Sequence, residues 1–205
     1  PLVQWRQSCR LESDNVPSVY GRPFLNKLLF TNGFNQGVSG TARIVAPEGW
    51  MIEPAVIPFK LTEQEQAVQP ITITLPYDAT SGRQPIRIDF LVRAERTYRF
   101  SVFRHIDVGL GDIYLEVTTH LNADGELEVE QHFVNDTAVP VSFRCELFAP
   151  DRRRMTTTIT EQGTGRRVTV FRLSNGQELI GKTLWLRAEE IGGPRILNYR
   201  FRAVP

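Results

Sequence analysis

The sequence is poor in the residues from which catalytic and metal-binding sites are usually built. It holds two cysteines, Cys9 and Cys145, and three histidines, His105, His120 and His132. It has no Cys-x-x-Cys and no His-Glu-x-x-His, the spacings that thiolate and paired-imidazole zinc sites use. Gly-x-Ser-x-Gly, a Walker loop and Gly-x-Gly-x-x-Gly are missing too. That removes the hydrolase elbow, the phosphate loop and the dinucleotide fingerprint. No apolar run approaches the ~20 residues needed to span a bilayer. The formal net charge is +1, so no field of one sign draws nucleic acid or an anionic membrane. The chain opens on Pro1 rather than Met and no signal peptide is recognisable. It is expected to be a mature form or a piece of a longer protein. No cofactor is expected.

What is present is ordinary globular material of β type. The hydrophobic fraction is 41% and the charged fraction 23%, with 15 Gly and 13 Pro spread as turn residues. A length of 205 residues suits one large or two small domains, each with its own core. Residues 1–26 are hard to place: Leu2-Val3-Gln4-Trp5 reads as a first strand and Asn15 to Pro23 as a loop. From Lys27 a period of two sets in. Candidate strands are Lys27–Thr31, Gly40–Val45, Val56–Leu61, Val68–Leu75, Pro85–Ala94 and Tyr98–Arg104. In Ile71-Thr72-Ile73-Thr74-Leu75 the aliphatic residues take one face and the threonines the other, as in a half-buried strand.

The turns carry a family resemblance. Ala46-Pro47-Glu48-Gly49-Trp50 is followed by Glu53-Pro54, then Leu61-Thr62-Glu63-Gln64-Glu65, then Ile71–Leu75, then Pro76-Tyr77-Asp78-Ala79-Thr80-Ser81-Gly82. In this order the stretch from about Phe30 to Val92 resembles the immunoglobulin-like domain associated with α-galactosidases and with the NPCBM carbohydrate-binding module. Thr62-Glu63 replaces that family's usual Pro-Gly. The resemblance implies an immunoglobulin-like sandwich of extracytoplasmic bacterial proteins, often beside glycoside hydrolases. It implies no catalytic residue. Trp50 is expected at a core edge.

His105 to Asp112, with its two glycines, reads as a short inter-domain joint. The second half then opens with a hairpin. Ile113, Leu115, Val117, Thr119 and Leu121 share one face, and Leu127, Val129, Gln131 and Phe133 the facing one. Both sets must reach one core, so Leu121 should oppose Leu127 across the loop Ala123-Asp124-Gly125, closed by Gly125 in the left-handed region. Strands follow at Val139–Phe148, Met155–Gln162, Arg166–Leu173, Thr183–Glu190 and Ile196–Ala203, seven in all for this half. No helix is expected. Similarity between the halves is architectural rather than a repeat of sequence.

The hairpin register places His120 opposite Glu128, Glu116 opposite His132 and Thr118 opposite Glu130 on the outer face. His120, Glu128, Glu116 and His132 are the candidate divalent-metal set; the alternative is a solvated face of cross-strand charge pairs. Asn122-Ala123-Asp124-Gly125 resembles the middle of an EF-hand loop, but the first ligand would fall on His120 and the twelfth on Gln131. A turn accounts for the same residues. Trp185 falls on the polar parity of its strand with Thr183, Arg187 and Glu189; Trp185, Arg187 and Tyr199 form the candidate ligand-binding set, with Trp185 as a sugar-stacking platform or a covered residue. Cys145 shares parity with Val141, Phe143 and Leu147, so a buried thiol is expected rather than a disulfide to Cys9. Arg152–Arg154 and Arg166-Arg167 read as solvated loop-edge clusters. Asn135-Asp136-Thr137, a formal glycosylation sequon, is expected to cap a bend.

The sequence therefore leads to an all-β fold of two tandem immunoglobulin-like β-sandwich domains, 1–106 and 107–205. The expected role is a non-catalytic accessory or interaction region of a larger extracytoplasmic bacterial protein, associated with carbohydrate. Its expected partners are a polysaccharide or a cell-envelope protein, and flanking domains of the longer chain. One alternative is a structural or adhesive module that binds protein by edge-strand addition or in the manner of a pilus chaperone. A metal site on the 113–133 hairpin is the second.

Overall fold

A computed structural model describes residues 1–109 and 111–205, and most of them lie in antiparallel strands. Residue 110, inside the expected joint, lies outside the described residues. Two compact units result: Pro1–Val16, Tyr20–Ala79 and Arg83–Asp107 form the first, and Pro17–Val19, Thr80–Gly82 and Val108–Pro205 the second.

The chain opens on a helix, α1 (Leu2–Ser8), not on the expected strand. Seven residues without an N-terminal side-chain cap make a marginal helix, so tertiary contacts must hold it. Two are plain. Trp5 is fully buried, stacked on Phe30 at 5.2 Å and set edge-on to Phe90 at 5.5 Å. Arg104 donates to the carbonyls of Arg6 and Cys9 at the C-terminal end of α1, where a cation meets both orphaned acceptors and the negative end of the dipole.

Strands β1 (Arg10–Leu11), β2 (Asn15–Val16), β3 (Phe24–Thr31), β4 (Val38–Val45), β5 (Met51–Glu53), β6 (Ile57–Leu61), β7 (Gln66–Thr74), β8 (Gly82–Arg93) and β9 (Thr97–Val108) follow. They form two sheets, ordered β1-β3-β7-β5 and β2-β9-β8-β4-β6. Phe30 of the first sheet meets Phe59 and Phe90 of the second at 5.1 Å each, so an aromatic cluster joins the sheets. Gly40 is required here, since a Cβ would fall 2.0 Å from the Leu91 carbonyl oxygen across the β4–β8 ladder. The Ala46–Trp50 stretch is a turn closed by the Trp50 N–H on the Pro47 carbonyl; Gly49 takes φ +81 there and Trp50 is half-buried.

The second unit is built from β10 (Ile113–Leu121), β11 (Leu127–Asn135), β12 (Val141–Phe148), β13 (Met155–Gln162), β14 (Gly165–Leu173), β15 (Thr183–Glu190) and β16 (Ile196–Arg202), with one 3₁₀ turn at Gly176–Leu179. The sheets are β10-β11-β14 and β13-β12-β15-β16. They share a core of Phe133, Phe143, Leu147, Ile159, Phe171, Leu186 and their neighbours. The hairpin register is as the pattern requires: Leu121 faces Leu127, His120 faces Glu128, and Gly125 takes φ +76.

The two strand orders correspond. β1-β3-β7 matches β10-β11-β14, and β9-β8-β4-β6 matches β16-β15-β12-β13. A buried asparagine marks the same corner in each. Asn32 donates to the Gln36 and Thr62 carbonyls and accepts the Phe34 N–H; Asn135 donates to Val139 and Gln162 and accepts the Thr137 N–H. Phe30 and Phe133, each two residues earlier, are fully buried. One difference matters below. In the first unit β7 is covered by β5, while in the second its counterpart β14 ends the sheet.

Trp5→Ala should cost about 3–5 kcal/mol, as a large-to-small change in a packed core does. Arg104→Met should cost about 1–3 kcal/mol by leaving helix carbonyls unpaired. Urea unfolding followed by far-UV circular dichroism measures both, and each variant should shift the earlier or only transition.

Candidate functional site

The hairpin face separates into local pairings rather than one cluster. His120 Nε2 lies 2.9 Å from Glu128, and Glu128 also receives Arg172 at 2.9 Å. His132 Nε2 turns to Glu130 at 3.1 Å on its own strand, although Glu116 is its cross-strand neighbour. Glu116 instead holds Arg166 at 2.9 Å. The register brought these four residues to one face but not to one point, because β14 supplies two arginines that compete for the carboxylates. Among the described residues no group of three or more His, Cys, Asp or Glu is placed to hold a metal ion. Glu128 is held below the usual carboxylate range, first by the Arg172 hydrogen bond and then by Asn122.

Trp185, Arg187 and Tyr199 are not brought to one surface. Tyr199 faces Leu186 in the ladder and packs against the core, on the opposite side of the sheet from Trp185. Trp185 is half-covered: its ring stacks on Phe148 at 4.9 Å, its Nε1 donates to Asn198 at 3.0 Å, and Arg200 lies over it at 5.6 Å. Arg187 is only 7% exposed. The parity argument put Trp185 on the outer face correctly. It could not see that Phe148 is its cross-strand neighbour, nor that residues 80–82 run along β16. Ser81 donates to the Asn198 carbonyl at 2.6 Å and covers that part of the face.

Edges are where the second unit is unfinished. β16 is sealed on its outer side by an antiparallel bridge between Val19 and Arg195 and by the bonds to Ser18 and Ser81. β10 is tied to the C-terminal tail through Thr119 and Val204 at 2.8 Å. β13 is interrupted: the register shifts between Val141 and Phe143, and Glu161 takes φ +49, so a bulge bends this edge. Among the described residues β14 has none of these devices. It pairs with β11 without a break from Leu127↔Leu173 to Asn135↔Gly165.

Which of its backbone groups are free follows from the hairpin. Asn122 N–H donates to the Glu126 carbonyl at 2.9 Å, which fixes the hydrogen-bonded pairs of β10 and β11. Alternation then turns the odd residues of β11 toward β14 and the even residues of β14 outward. Arg166, Val168, Val170 and Arg172 thus point N–H and C=O to the open edge. Val168 is 50% exposed and Val170 36%.

The thiols are chemically quiet. Cys9 and Cys145 are both free and fully buried. Burial pushes Cys9 up to about 12, against the pull of Arg104, and Cys145 up to about 11, against its hydrogen bond from Gln131.

No protein-family model matches the chain, and no curated protein sequence matches it. Solved structures similar to it include the E. coli chaperone DraB, at 10% identity and TM-score 0.33 over 95% of this chain and 98% of that one. The class 5 fimbriae chaperone CfaA is 10% identical at TM-score 0.29, over 96% and 99%. A transglutaminase of red sea bream is 12% identical at TM-score 0.35, over 97% of this chain and 31% of that one. TM-scores this low carry no information about a shared function.

Both thiols should resist iodoacetamide at pH 8 in the native protein and react at once in denaturant, since the thiolate is the nucleophile and both are protonated there. Mass spectrometry reads the result; rapid native labelling of either would contradict its burial.

Proposed function

We propose that the chain is a non-catalytic interaction module of two tandem immunoglobulin-like domains, acting outside the cytoplasm, that binds an extended segment of a partner protein by strand addition at β14. The open β14 edge carries this reading. A nine-residue strand with no bulge and no proline presents four outward pairs of main-chain donors and acceptors. Natural sheets seldom leave such an edge without a bulge or a cover; among the described residues β14 is guarded only by its arginines, Arg166, Arg167 and Arg172. The first unit supplies the internal comparison: at the equivalent edge β7 receives β5, with Met51↔Thr74, Ile52↔Ile73 and Glu53↔Thr72. The position accepts an antiparallel strand, and in the second unit none of the described residues provides one. Main-chain bonds would supply the affinity. Val168 and Val170 would select a segment that is apolar in its middle, and Arg166 and Arg172, already paired with Glu116 and Glu128, would add a weaker preference for acidic ends.

Titration with the peptide Glu-Thr-Val-Thr-Val-Thr-Glu tests this, with backbone NMR shifts as the readout. The shifts should concentrate on Arg166 to Arg172, and Val170→Pro should weaken binding at least tenfold. Proline at an outward-pointing position removes a donor from the edge but none from the β11 ladder. Equal binding by the variant, or slow hydrogen exchange at the Val168 and Val170 amides of the free protein, would refute the proposal.

A further inference from the structure

The outer face of the β2-β9-β8-β4-β6 sheet has a different chemistry from the β14 edge. A groove of about 480 Å³ crosses it, lined among others by Thr41 and Arg43 of β4, Arg87, Asp89 and Leu91 of β8, and Arg99 and Ser101 of β9. Three guanidinium groups here face one carboxylate. Asp89 is already occupied: Arg87 grips it through Nε at 2.9 Å and Nη2 at 3.0 Å, and Ser101 donates to it at 2.6 Å. Desolvation opposes ionisation of Asp89, but these two partners and Arg43 hold it below the usual range. Arg43 and Arg99 are exposed, and among the described residues neither has a hydrogen bond or ion pair. The same face continues to Lys60, Ser39 and Arg93, which the ladder sets abreast on β6, β4 and β8. From Arg87 to Arg93 the cations run over roughly 20 Å of strand.

We infer that this groove binds a polysaccharide bearing carboxylates, a uronate polymer, with Arg43 and Arg99 each taking one carboxylate in the fork geometry that Arg87 makes with Asp89. Three observations select that occupant. The Arg87–Asp89 pair shows that a carboxylate seats on this face in the two-bonded arrangement guanidinium favours. The spread of cations matches an elongated anion rather than one small one. A sheet face, unlike an edge, has its main-chain groups consumed by the ladder, so a peptide lying there would find no partners for its own amides. Phe90 and Phe100, at the floor of the groove, stack on each other at 5.3 Å and belong to the core cluster around Trp5. The Thr41 hydroxyl is available to sugar hydroxyls. Nothing in this inference depends on strand addition at β14.

The test is affinity electrophoresis and calorimetry of the whole chain with polygalacturonate oligomers, neutral pullulan and poly-glutamate. The expected result is binding to polygalacturonate at low salt that falls steeply as salt rises, and no binding to pullulan. Arg43→Gln/Arg99→Gln should weaken it roughly tenfold, the sum of two exposed charge contacts. Arg153→Gln, in the other unit, should leave it unchanged. The melting curve of the double variant should match that of the wild type, because both side chains are exposed and unpaired. Failure to bind polygalacturonate, or equal binding by the double variant, would overturn the inference. Equal affinity for poly-glutamate would overturn the sugar and assign the groove to an acidic protein.

Discussion

Side chains in a strand alternate between faces, and a one-residue slip would exchange every inside residue for an outside one. The second unit depends on that constraint at the Asn122–Glu126 turn. Gly125 takes the left-handed conformation, the loop closes with three residues, and Leu121 meets Leu127. Val129, Gln131 and Phe133 then point inward, and Phe133 reaches Phe143 at 4.9 Å. The same closure decides which main-chain groups of β11 serve β10 and which serve β14. It thus determines which groups of β14 are left for a partner. One turn sets both the core and the exposed chemistry.

This is why so much of the second half could be read from its letters. Ile113 to Phe133 alternates cleanly, and the pairing of His120 with Glu128 follows from that alternation alone. Cys145 declared its burial through Val141, Phe143 and Leu147. The parts that could not be read lack a period or depend on distant residues. Helix α1 has seven residues and no cap, and its stability comes from Phe30, Phe90 and Arg104, far along the chain. β1, β2 and β5 are two or three residues long, too short for alternation to register. The burial of Asn198 was invisible because Ser81, more than a hundred residues earlier, lies along β16. One signal was present and unread. Phe30-Thr31-Asn32 and Phe133-Val134-Asn135 put a buried ring two residues before a buried asparagine, and each asparagine ties the corner of its unit.

The candidate sites show the limit of parity in another way. Parity assigns a face, and a site needs a point. Glu116 and His132 share a face and a register position, yet each takes a different partner, because arginines of β14 stand beside them. Tyr199 belongs to the candidate set with Trp185, and the ladder puts it on the other side of the sheet. Trp185 itself spends its ring on Phe148 and its N–H on Asn198, which leaves a smaller aromatic surface than an isolated residue would offer.

The two open surfaces differ in what they can offer a ligand, and that difference separates them. An edge offers main-chain donors and acceptors at a fixed spacing. Its selectivity is for an extended backbone, and salt changes the main-chain part of its affinity little because those bonds are between neutral groups. A face has spent its main chain on its own ladder and offers only side chains. On the first unit those are guanidinium groups, whose attraction is long-ranged, screened by salt and indifferent to backbone conformation. A chain with a net charge of +1 therefore still presents a local excess of cations where Arg43, Arg87, Arg93 and Arg99 share one face with Asp89. Bulk neutrality is a sum over surfaces, and it says nothing of how the charges are arranged on any one of them. The low net charge excludes a general affinity for polyanions, and it leaves room for a local one.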